Sequence, residues 1–204
     1  MTAILESSAT GIDERTADLL FRAARTAYAF DGTPVSDEQL EHIYDLVRFA
    51  PTGMNSQPLR IAFVRSEEGK ARLLPLLAPG NRKKASSAPV VAILAADTDF
   101  HKHLPRLMPH APRTKERFAG DDAARVETAT FNATMQAGYF ILAVRAAGLD
   151  AGPMGGIDNA AIDAEFFAGT GLRTFLAVNI GTIAPGGTYP RAPRLEFHEA
   201  VTTV

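Results

Sequence analysis

Hydrophobic and polar positions recur along this chain with two different periods. From about Asp13 to Phe30, the residues Leu19, Leu20, Ala23, Ala24, Ala27 and Phe30 fall on or near one helical face, and Asp31-Gly32-Thr33-Pro34 ends the pattern. Ser36 is placed to cap a second helix, with Gln39 three residues on for a capping box. Leu40, Ile43, Tyr44 and Val47 then follow the i, i+3, i+4, i+7 stripe. Leu59 to Arg65 predicts a short strand, and Ser66 caps a third helix running to about Leu77. Pro89 to Ala96 is an uninterrupted apolar run, which predicts a strand covered on both faces. Leu172 to Ile180 predicts another.

The longest helical pattern runs from about Asp122 to Ala147 and is closed by Gly148 in the position after the cap. Val126, Ala129, Ala133, Ala137, Phe140, Ile141 and Val144 make it apolar over most of its circumference. Such a helix belongs in a core or in a subunit interface. The last twenty residues, 185–204, carry Gly186, Gly187 and three prolines and predict an extended arm. Together these elements predict one helix-rich α+β domain over 1–204, built around a small sheet, with 1–12 as a flexible N-terminus. An embracing homodimer would explain both the long helix and the arm.

Composition narrows the function more than the fold. At 204 residues the chain is long enough to bury roughly 70% of its unfolded surface without staples. The net charge of -2 gives no electrostatic footprint for nucleic acid or an acidic membrane. The absence of cysteine excludes disulfides, thiolate nucleophiles, thiolate zinc sites and iron–sulfur clusters. Met1 to Asp18 lacks the basic start and apolar core of a signal peptide, and no apolar run approaches the roughly 20 residues that span a bilayer. A soluble cytoplasmic protein is the expectation.

Chemistry-bearing motifs are as telling by their absence. There is no Gly-x-Gly-x-x-Gly after a strand, no Walker loop, no Gly-x-Ser-x-Gly elbow and no Ser/His/Asp set at recognisable spacing. His101, His103 and His110 alternate through a proline-rich polar loop, where solvation is a better account than three converging metal ligands; no metal is expected. An enzyme without an evident nucleophile or acid–base pair borrows its chemistry from a cofactor. One stretch could hold one, and two more read as plain turns. Pro51-Thr52-Gly53-Met54-Asn55-Ser56-Gln57-Pro58 is bounded by prolines and polar within, so it is either a stiff turn or a loop presenting donors to something planar. Gly80-Asn81-Arg82-Lys83-Lys84 is a basic turn, and Gly152-Pro153-Met154-Gly155-Gly156-Ile157-Asp158 is a Gly-rich turn into a helix capped by Asp158.

These stretches resemble, in order and spacing, the nitroreductase family of FMN enzymes. Pro51 to Pro58 resembles the family's Pro-Ser/Thr-x-x-Asn-x-Gln-Pro loop, although Leu59 stands where tryptophan is usual. Asn81 and Lys84 match an Asn-x-x-Lys pair, Pro153 to Gly156 a Pro-x-x-Gly turn, and Arg191 an Arg-x-Pro element. Arg25, Thr26 and Tyr28 match the family's Arg-x-Ser-x-Lys/Arg run imperfectly, with Ala24 and Tyr28 where bases are usual.

The resemblance implies an FMN-dependent nitroreductase-like fold with a mainly antiparallel sheet and flavin sites at a homodimer interface. It implies NADH or NADPH as co-substrate. Pro51, Thr52, Gly53 and Asn55 would then face the ring and ribityl chain, and Asn81 and Lys84 the flavin edge. The backbone of Pro153, Met154, Gly155 and Gly156 would pass beside N5, with Gly155 leaving room where glutamate is often found. Arg25, Thr26, Tyr28 and Arg191 would surround the phosphate. No side chain is assigned as catalytic.

The segment from Phe100 to Asp122 corresponds to a lid that varies with substrate, and Arg113 or Arg117, with Phe118, are candidates for holding a small carboxylate-bearing substrate. Phe166-Phe167-Ala168-Gly169, Ala151-Gly152-Pro153-Met154 and Pro193-Arg194-Leu195 are most similar to the branch that reduces malonic semialdehyde to 3-hydroxypropionate in pyrimidine degradation. A generic nitro- or quinone reductase, a flavin-storing protein without turnover, and an interaction module without cofactor remain alternatives.

Overall fold

The computed structural model describes residues 11–204, so the expectation for the extreme N-terminus falls largely outside the described residues. Four antiparallel strands form one sheet in the order β1-β2-β4-β3: β1 (Leu59–Val64), β2 (Val90–Asp97), β3 (Asp150–Met154) and β4 (Leu172–Gly181). Leu59 pairs with Ala96, Val90 with Ile180, and Met154 with Ala177, with a bulge in β2 between Leu94 and Ala95.

Every residue of β2 is buried, and the strand's alternation divides the core in two. Val90, Ala92, Leu94 and Ala96 pack with α1 (Asp37–Val47) and α4 (Asp122–Ala146). Val91 and Ile93 face the opposite way, toward Leu73 of α2 (Glu67–Leu73), Ala85 of α3 (Pro79–Ser87) and Ile162 of α5 (Asn159–Phe166). The predicted strand covered on both faces is therefore the centre of the fold.

Helix starts follow their sequence signals. Ser36 and Gln39 form the capping box of α1, Ser66 caps α2, and Asp158 caps α5. Gly148 follows α4 with φ at +77°, the left-handed turn that glycine adopts without strain. One side of α4 buries Ala129, Ala133, Ala137, Phe140 and Val144, while Phe131, Met135 and Tyr139 stand exposed at i, i+4, i+8.

Three elements differ from expectation. The first helix is much shorter: an α turn over Glu14–Ala17 passes into a π turn over Asp18–Arg22 and stops. Residues 27–31 instead run extended beside β3 and the chain that follows β4. The Ala27 N–H donates to the Ala151 carbonyl, that of Tyr28 to Gly187, and that of Asp31 to Thr182. Long-range backbone pairing thus outcompetes local periodicity.

Gly152 to Met154, read as the start of a Gly-rich turn, belong instead to β3, where Pro153 is tolerated because this is an edge strand. Gly80 to Lys84, read as a turn, lie inside α3, which has Pro79 in its first turn where no N–H is needed. In the C-terminal arm, residues 190–204 are exposed throughout and form one helical turn, Phe197–Ala200.

Candidate functional site

The run that follows the π turn places Arg25, Thr26 and Tyr28 along the β3 edge of the sheet. Arg25 curls back so that its guanidinium donates to the carbonyls of Arg22, Ala23 and Ala24 at 2.9 to 3.1 Å. Arg191, arriving from the arm, donates to the carbonyl of Ala24 at 2.8 Å and to that of Arg22. Arg145, near the end of α4, donates to the Leu20 carbonyl at 2.9 Å, while its Nε is buried without a partner. With Arg194 these guanidiniums line a cavity of about 460 Å³ whose wall includes Thr26, Tyr28 and Tyr189 and contains no carboxylate.

Burial pushes the Arg145 guanidinium below its ordinary proton affinity; the Asp150 carboxylate opposes this and Arg191 adds to it. Arg191 is shifted the same way, by desolvation first and then by the charges of Arg25 and Arg194. Mutual repulsion of this kind is relieved by an anion.

A continuous line of contacts leads away from that cavity. Tyr189 packs edge-on against Tyr28 with ring centroids 4.6 Å apart. The Lys84 ammonium sits 4.4 Å from the centre of the Tyr28 ring, so the aromatic that replaces a base holds a cation instead. Lys84 Nζ donates to Asn81 Oδ1 at 3.3 Å, and Asn81 Nδ2 donates to the Gly156 carbonyl at 2.9 Å. The one-turn offset of α3 puts Asn81 and Lys84 on one helix face. Gly156 favours this arrangement, because a Cβ would lie 2.8 Å from Asn81 Nδ2 and displace that amide. Gly155 meets nothing within 4 Å and, with Gly156, Ala78 and Leu77, borders an open cavity of about 430 Å³. Pro153 and Met154 lie at the end of β3, with Met154 turned into the core.

The loop over residues 51–58 lies elsewhere. It enters β1, at the opposite edge of the sheet from β3, three strand spacings or roughly 14 Å away. Met54, Asn55 and Gln57 have φ of 58°, 50° and 43°, and the left-handed region strains non-glycine residues by about 1 kcal/mol each. Contacts from distant elements hold it in that shape. Asn132 Oδ1, on α4, accepts from the Gly53 N–H at 2.6 Å, and Gln136 Oε1, one turn on, accepts from the Leu59 N–H at 3.0 Å. Asn55 Nδ2 donates to the Leu107 carbonyl at 2.8 Å, Gln57 Nε2 donates to Asn55 Oδ1 at 2.7 Å, and Thr52 Oγ1 accepts from the Gln57 N–H at 3.1 Å. The Gly53 amide and much of the Asn55 carboxamide, expected to face outward as donors, are therefore engaged within the chain. Pro51, Thr52 and Asn55 form a rigid wall beside a groove of about 940 Å³, whose rim carries Arg48, Phe49, Arg60, His103 and Arg106.

The proposed substrate residues are redistributed. Phe118 is a core side chain, packed edge-on against Phe100 at 5.0 Å, and so is withdrawn from any ligand. Arg113 and Arg117 are exposed on the turn over Pro112–Phe118, where Arg113 pairs with Glu116 at 3.2 Å; neither lines the cavities described above. Among the described residues no group of three His, Cys, Asp or Glu side chains is placed to hold a metal ion, and no helix is long and apolar enough to cross a membrane.

Asn132, Gln136 and Arg145 border these candidate features although the sequence did not single them out. The one available signal was polarity at buried positions of an otherwise apolar helix, which Asn132 and Gln136 carry.

Comparison with known proteins agrees with this architecture. A provisionally named NADH dehydrogenase/NAD(P)H nitroreductase of Streptomyces griseus is 51% identical over 193 residues, covering 95% of this chain and 98% of its own. One of the same provisional name from Leptothrix cholodnii is 49% identical over 189 residues, covering 93% and 96%. Among solved structures, a provisionally described nitroreductase from Exiguobacterium sibiricum, in complex with FMN, superposes with a TM-score of 0.81 at 22% identity over 97% of this chain and 100% of that one. The family model described as the nitroreductase family matches residues 21–182. The chain belongs to the nitroreductase family.

Proposed function

We propose that this chain is an FMN-dependent NAD(P)H oxidoreductase that works in the cytoplasm as a homodimer, with malonic semialdehyde as its acceptor and 3-hydroxypropionate as its product. The observation that carries the flavin assignment is the line from the arginine cavity through Tyr28, Lys84 and Asn81 to Gly156. Its donor set matches FMN end to end. Cations with a buried unpaired N–H suit a phosphate, an ammonium beside an amide suits a polar ring edge, and a glycine backbone allows close approach. The names of the relatives support NAD(P)H as the electron source, and the FMN complex of the structural neighbour supports the cofactor.

Bound FMN would supply two-electron hydride chemistry between NAD(P)H and the acceptor, with one proton taken up by the acceptor to balance the reduction. The chain's own part is to bind and orient. Arg25, Arg145, Arg191 and Arg194 would hold the phosphate, Lys84 would place positive charge beside the pyrimidine edge, and Gly155 and Gly156 would leave the reactive face open. The rigid wall of Pro51, Thr52 and Asn55 stands too far across the sheet to close the same site in one chain. A second copy would supply it, and the exposed Phe131, Met135 and Tyr139 of α4 are suited to bury against that copy.

A second reading is nitro- or quinone reduction on the same flavin, favoured by the names of the relatives. The malonic semialdehyde reading rests on the branch resemblance of residues 166–169, 151–154 and 193–195. Anaerobic mixing with NADPH or NADH, followed by a panel of aldehydes, quinones and nitroaromatics, tests both. Bleaching of the yellow protein and fast reoxidation by malonic semialdehyde are expected. Reoxidation only by nitroaromatics and quinones favours the second reading, and a flavin that stays oxidised means storage without turnover.

A further inference from the structure

We propose that Arg106 is the anchor for an anionic acceptor, binding its carboxylate in the groove beside the loop over residues 51–58. Four basic side chains reach this groove, and no Asp or Glu lines it. Three of the four already have a carboxylate within 4 Å. Arg60 bonds Asp97 at 2.5 Å, His103 Nε2 stands 3.8 Å from the same carboxylate, and Arg48 bonds Asp45 at 3.3 Å. Among the described residues the Arg106 guanidinium has neither ion pair nor hydrogen bond, so it keeps its N–H groups for a ligand.

Its mounting is firm. Arg106 projects from the helical turn Leu104–Leu107, whose Leu104 is fully buried and whose Leu107 carbonyl accepts from Asn55 Nδ2. The same bond that shapes the wall of residues 51–58 therefore ties the backbone turn that carries Arg106 to that wall. Phe49 and Tyr44, both exposed, supply apolar surface for the body of the ligand. One free guanidinium among neutralised neighbours fits a monoanion better than the several charges of a dinucleotide, and its planar fork suits a carboxylate.

This inference rests on the flavin reading above, and calorimetry separates the two. Benzoate and benzamide, which have the same shape and differ in charge, are titrated into the purified protein as isolated. The wild type should bind benzoate at least about tenfold more tightly than benzamide, and Arg106→Ala should erase that preference while leaving benzamide binding unchanged. Arg106→Lys should restore part of it, and Arg113→Ala and Arg117→Ala should leave it intact. In turnover, Arg106→Ala should raise KM about tenfold for 4-nitrobenzoate but leave its methyl ester, NADH and NADPH unchanged.

Equal losses for benzoate and benzamide, a wild type indifferent to charge, or a loss confined to NADPH would each overturn the assignment, the last by identifying a dinucleotide phosphate as the anion. Colourless protein that cannot be reconstituted with FMN would sink the flavin reading alone, because benzoate binding is still measured without it.

Discussion

Asn132 and Gln136 are two amides buried on a helix that is otherwise alanine, phenylalanine and valine on its inner side. Each spends its side-chain oxygen on a backbone N–H nearly eighty residues away, at Gly53 and Leu59. Replacing Asn132 by Ala leaves the Gly53 N–H unpaired under a strained loop, so a loss of about 1–3 kcal/mol in urea unfolding is expected, together with weaker flavin retention. Arg145 is the corresponding case at the other half of the site. Arg145→Met should weaken the Kd for FMN by about tenfold or more, measured by flavin fluorescence, with Arg145→Lys intermediate. An unchanged Kd would reduce Arg145 to a cap on the Leu20 carbonyl. At this scale the sequence was partly legible. Asn81 and Lys84 meet as their spacing implied, and Arg25 and Arg191 share a cavity, because each motif is local. Arg145 carries no local pattern, and the burial of Phe118 depends on Phe100, eighteen residues earlier.

The elements with strong caps and clean periodicity, α1, α4 and β2, lie where their residues predict. The failures are segments whose backbone partners come from far along the chain. Leu19 and Leu20 suggest a long first helix, yet residues 27–31 are drawn into pairing with residues 151, 182 and 187. A glycine-rich stretch became β3 for the same reason: β4 offers it a register from Asp150↔Gly181 to Met154↔Ala177. Gly152 is where these two surprises touch, since a Cβ there would meet the Ala27 carbonyl oxygen at 2.6 Å. Backbone cannot retreat as a side-chain tip can. Gly152→Ala should therefore cost about 1–3 kcal/mol in thermal unfolding, and by displacing the run that carries Thr26 and Tyr28 it should also loosen FMN. A neutral effect on both would mean that the edge pairing is looser than its hydrogen bonds imply.

At the scale of the whole molecule, the sheet separates the two sets of residues that the proposed flavin site would unite. The cationic cavity and the Tyr28–Lys84–Asn81 line border β3, while the strained wall of residues 51–58 opens onto β1 at the far edge. The exposed stripe of Phe131, Met135 and Tyr139 and the exposed arm are then halves of one proposed contact between two copies. Flavin counting in mixed dimers tests that arrangement most directly. Lys84→Met/Arg145→Met breaks one half of the site, and a variant with Asn55→Ala and Thr52→Trp breaks the other. Each alone should purify without flavin. When the two are co-expressed, random pairing should place one fully intact site in each mixed dimer, so FMN should return to about one quarter of the sites. Flavin that stays absent from the mixture, in dimers proven to be mixed, would contradict a site shared between two chains.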